Sequence, residues 1–70
     1  MKRVTPTFRV GEFADGQPFI VLEPSSGDEL NLFRNKSIGF DLRRGTTYEE
    51  AQEIVRFLQD RITHISETEL

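Results

Sequence analysis

The chain has 70 residues, no cysteine, one histidine and a net charge of −3. That length allows one domain with a core near the lower practical limit, and the absence of cysteine excludes a disulfide framework or a thiolate site. A strongly basic nucleic-acid footprint is absent, and no apolar run approaches the length of a membrane span.

Charge is unevenly placed. Residues 1–46 carry seven Lys/Arg and six Asp/Glu, whereas residues 47–70 carry two and six. The N-terminus has no apolar signal-peptide core, so the expectation is a cytoplasmic protein with no membrane partner. Six phenylalanines supply much of the packing available to so short a chain.

The opening MKRVTP reads as a polar lead-in. In 7–13, Phe8 and Val10 alternate with Arg9 and Gly11, the period of a half-buried strand. Asp15-Gly16 is a two-residue hairpin signal, and PFIVLEP at 18–24 is a second strand, apolar along nearly its whole length. Ser25–Asp28 reads as a turn into a third strand at 29–34. Asn35-Lys36 reads as a looser turn into a fourth at 37–43, where Ile38, Phe40 and Leu42 share one side.

The period then changes. Tyr48, Ala51, Ile54, Val55, Leu58 and Ile62 recur at helical spacing, with Phe57 at the edge of the stripe, which predicts an amphipathic helix over about 47–62. Neither glycine nor proline ends it. Residues 62–66 fit a continued helix or a short fifth strand, and 66–70 read as a tail. The expected fold is a single α+β domain over 1–70: a four-stranded antiparallel meander followed by one C-terminal helix packed on the sheet.

Residues 42–51, LRRGTTYEEA, carry the densest local signal. Thr47 and Glu50 have capping-box spacing, and Glu49 and Glu50 put negative charge at the positive end of the helix dipole. A competing role is anion binding by the free helix amides with Arg43 and Arg44. The stretch has one glycine and no lysine before the Ser/Thr, so it lacks a phosphate loop, and its glutamates occupy the niche an anion would take. His64 has no partnered nucleophile or acid in its pattern, and no carboxylate is flanked by an apolar cleft. The expectation is a non-enzymatic protein with no catalytic residue, no metal site and no cofactor.

Register gives more than motifs do. A two-residue turn at Asp15-Gly16 sets Val10 against Val21. One sheet face then carries Phe8, Val10, Phe19, Val21, Leu30 and Leu32, and the other carries Phe13, Ile20, Leu22 and Phe33. One helix covers one face. The second face, Phe13, Ile20, Leu22 and Phe33, is the candidate protein interface, with another copy of the chain as the simplest partner. A tail around Ile65 and Leu70 would also cover it, and a one-residue bulge would dissolve it. The alternative is a weak nucleic-acid or anion-binding domain using Arg9, Arg34, Lys36, Arg43 and Arg44 beside exposed aromatic rings.

Residues 40–65, FDLRRGTTYEEAQEIVRFLQDRITHI, resemble the C-terminal half of a group of small uncharacterised bacterial proteins. These share a glycine-threonine-threonine cap, an acidic first turn and a similar helix tail. The hairpin DGQPFIVLEP is similar as well. The resemblance implies a bacterial origin and a compact α+β domain, and it supplies no site residues.

Overall fold

The computed structural model describes residues 1–69. Leu70, the last residue of the expected tail, lies outside them. Four strands, β1 (Lys2–Glu12), β2 (Pro18–Gly27), β3 (Ile38–Asp41) and β4 (Ile65–Glu67), form one antiparallel sheet in the order β3-β2-β1-β4. A single helix, α1 (Tyr48–Arg61), comes before β4. The α+β class holds, but the helix is not the C-terminal element. The chain leaves α1, turns through 62–64, and returns as β4 against Lys2–Val4. The lead-in at 1–6 is therefore mostly strand.

The strand expected at 29–34 is absent. Its place is taken by a loop with a 3₁₀ turn at Asn31–Phe33, and β2 pairs with Ile38–Asp41 instead. Leu30 and Phe33 are both buried while Leu32 is exposed. Three residues apart, Leu30 and Phe33 fall on one side of a 3₁₀ turn, and a strand would have sent them to opposite faces.

The first hairpin forms one residue out of the expected register. Phe13 N–H donates to Gln17 O at 2.9 Å and Gly16 N–H to Phe13 O at 2.9 Å, closing a three-residue loop of Ala14, Asp15 and Gly16. Gly16 takes φ +87°, the left-handed residue that such loops need. Asp15 Oδ1 accepts from Gln17 N–H at 3.0 Å. Val10 consequently faces Ile20, not Val21, and Phe8 faces Leu22.

That one-residue difference exchanges the faces of β2. Val4, Phe8, Ile20, Leu22, Leu30 and Phe33 make one core, against which Ile38, Leu42, Val55, Leu58, Ile62 and Ile65 pack. Ile20, Leu22 and Phe33, read from the sequence as an open interface, are inside. On the opposite face the Phe19 ring lies across Gly11 and Gly39, so close that a Cβ built on Gly11 would meet it at 2.7 Å. Phe13 stacks on Phe19 with centroids 4.4 Å apart. Arg9, the β1 partner of Val21, forms an ion pair at 2.7 Å with Glu23, two residues beyond Val21 on β2, and Val21 is buried. The second face thus covers much of its own apolar surface.

The open edge of β1 beyond β4 is closed by one side chain. Gln59 Oε1 accepts from Phe8 N–H at 2.8 Å, and its Nε2 donates to Pro6 O at 3.1 Å. One amide of α1 thereby replaces a strand neighbour and ties the helix to β1.

Candidate interaction surface

The helix start is built as a cap. Thr47 Oγ1 accepts from Glu50 N–H at 3.1 Å and Glu50 Oε1 accepts from Thr47 N–H at 2.9 Å, a complete capping box. Just upstream, Thr46 Oγ1 donates to Arg43 O at 2.6 Å. Gln17 holds the same loop to the hairpin, donating through Nε2 to Arg43 O at 3.3 Å and accepting Gly45 N–H at 3.4 Å. The Thr47 backbone N–H, and then its hydroxyl, hold the Glu50 carboxyl below its usual pKa.

The linkage sign follows from that lowering. Glu50 contributes stability above the ordinary carboxylate range, and the contribution is lost as pH falls through the lowered folded value. Thr47→Ala is expected to cost about 1 kcal/mol and to move the Glu50 pKa partway back up, since the backbone donor remains. A carboxyl NMR titration with a parallel denaturant melt checks both; an unchanged Glu50 titration would show that the hydroxyl has no part in it.

The five basic residues do not converge. Arg9 lies mid-sheet, paired with Glu23. Arg34 and Lys36 precede β3, while Arg43 and Arg44 follow it at the other end. His64 is an exposed residue in the turn before β4. Among the described residues, no group of three His, Cys, Asp or Glu is placed to hold a metal ion. No helix among them is long and apolar enough to cross a membrane.

The open apolar surface lies elsewhere. α1 packs on β1 and β2, and β3 lies at the sheet edge, where Ile38 packs against the core but Phe40, two residues on, stays open. Phe40 of β3 is 46% exposed there. Along the Leu58–Ile62 side of the helix runs a groove of about 300 Å³ lined only by Phe8, Leu22, Phe40, Leu58, Ile62 and Ile65. Ile54, one turn before Leu58 on the same flank, is 37% exposed, and Phe57 is 63% exposed. The Arg61 guanidinium sits 5.6 Å from the Phe57 ring centroid.

Compared with protein-family models, with curated proteins and with solved structures, the chain finds no match.

Of the candidate interface residues, Phe13 alone is exposed, at 45%, and it is stacked on Phe19; Ile20, Leu22 and Phe33 are core. The sequence pattern does not single out Phe40, Ile54 and Phe57 as surface. Phe40 and Ile54 carry the same periodicity as true core residues. The one local signal was Phe57, already off the centre of the helical stripe.

Proposed function

We propose that the protein is a small non-enzymatic binding or assembly module that associates with a second copy of itself. The observation that carries this is the exposed set Phe40, Ile54 and Phe57 beside a groove with wholly apolar lining. Single exposed apolar residues are ordinary, but large side chains clustered against an apolar groove mark a protein contact. A chain this small also gains from association, because its own core is limited.

Light scattering across a concentration series tests this. The surface is modest, so association is expected between about 10 µM and about 1 mM. Over that range the molar mass is expected to rise from 8.1 kDa toward twice that value. A mass fixed at the monomer value throughout would overturn self-association.

A further inference from the structure

We infer that the second copy docks helix against helix, antiparallel, through the stripe Glu50–Ile54–Phe57–Arg61. This rests on the self-association proposed above and specifies its interface.

The stripe is self-complementary. Its four residues are spaced by four, three and four positions, so they follow one line along the helix with nearly coiled-coil spacing. Their order is acid, apolar, apolar, base. Turning a second helix end for end about the point midway between Ile54 and Phe57 places each Ile54 against the other copy's Phe57. The same rotation places each Glu50 beside the other copy's Arg61. No other pairing of the four satisfies both charge and apolar contact at once. A two-fold contact requires such a surface, since each patch must be its own complement.

The groups are available for these roles. Glu50 uses Oε1 in the capping box, which leaves Oε2 to accept from a guanidinium. Arg61 is exposed, and its contact with Asp60 is long, at 3.7 Å between two highly exposed side chains. It already rests over Phe57, so it needs little rearrangement to meet a carboxylate at the rim of an Ile54–Phe57 contact.

The stripe lies clear of the face that α1 buries. At 3.6 residues per turn, the stripe lies about 100° round α1 from the core-facing line of Ala51, Val55, Leu58 and Ile62, on the Leu58 side, which faces Phe40 across the groove. A helix docked on that flank stands beside α1 at the usual distance of about 8–10 Å between packed helices, and it covers Ile54 and Phe57.

Charge reversal at the rim is the test, because Arg61→Glu changes an exposed residue whose contacts, with Phe57 and Asp60, lie on the outside of α1. It sets like charges against each other at both ends of the two-fold contact. It is expected to raise the dimer dissociation constant about tenfold, while Phe13→Ser on the far face leaves that constant unchanged. The chain has no cysteine, so engineered thiols report cleanly. A mixture of Ile54→Cys and Phe57→Cys chains is expected to form the mixed disulfide faster than either like pair. A dimeric wild type with an unchanged constant in Arg61→Glu, or with no preference for the mixed disulfide, would overturn this interface while leaving self-association standing. A monomeric wild type would overturn both.

Discussion

Gly27→Ala is expected to lower stability by at least about 3 kcal/mol, through backbone strain and collision together. Gly27 holds φ +116°, and a Cβ there would lie 2.6 Å from Arg3 O and 2.8 Å from Val4 Cα. Both are main-chain atoms of β1, so no side chain can swing aside. The collision falls where the chain is tied at both ends: Asp28 N–H donates to Arg3 O at 2.9 Å, and the Asp28 carboxylate accepts from Arg3 N–H at 3.1 Å. Gly16→Ala is the control. Gly16 has φ +87° but nothing within 4 Å of the added carbon, so it carries only the left-handed cost of about 1–2 kcal/mol. Denaturant melts of the two variants are expected to separate clearly. Equal losses would mean that β1 can move away from Gly27 at little cost.

Ile20→Ala is the second large loss, about 3–4 kcal/mol. Ile20 is among the largest fully buried side chains, and it lies in β2, the strand that joins β1 to β3. A domain of this size has roughly 4–10 kcal/mol in total, and each kcal/mol moves its thermal midpoint by about 4–8 °C. The midpoint, followed by circular dichroism, is expected to fall by roughly 15 °C or more. Val21→Ala, in the next position but on the opposite face beneath the Arg9–Glu23 pair, is expected to lose less. The reverse ranking would restore the other register, with Val21 in the core and Ile20 outside.

Those two neighbours show where local pattern stops being sufficient. Asp15-Gly16 correctly marked a hairpin, but a two-residue loop and a three-residue loop ending in the same glycine share that signature. The choice between them shifted the pairs from Pro6–Pro24 to Glu12–Pro18 by one and exchanged the faces there; beyond an irregularity at Thr5/Pro6, Thr5–Ser26 and Val4–Gly27 stand in the register of the two-residue turn. In 29–34, Leu30 and Phe33 satisfy either a strand with one stray residue or a 3₁₀ turn, and the burial of both side chains decided it. Residues 62–66 are β-branched enough for strand and apolar enough for helix. Their partner is Lys2–Val4, at the other end of the chain, and no local period reports a contact that distant. The helix start was fully legible, since Thr47 and Glu50 are three residues apart and need nothing else. The open surface was not legible, because Ile54 and Phe40 look like core until the breadth of sheet covered by α1 is known.

The proposed self-association runs through the outer flank of α1. Backbone amide NMR shifts followed over a concentration series test it most directly. The resonances that move with concentration are expected to cluster at Glu50, Ile54, Phe57, Leu58 and Arg61, with those of Phe13 and Phe19 still. Shifts confined to the Phe13–Phe19 face, or a spectrum that does not change with concentration, would contradict it.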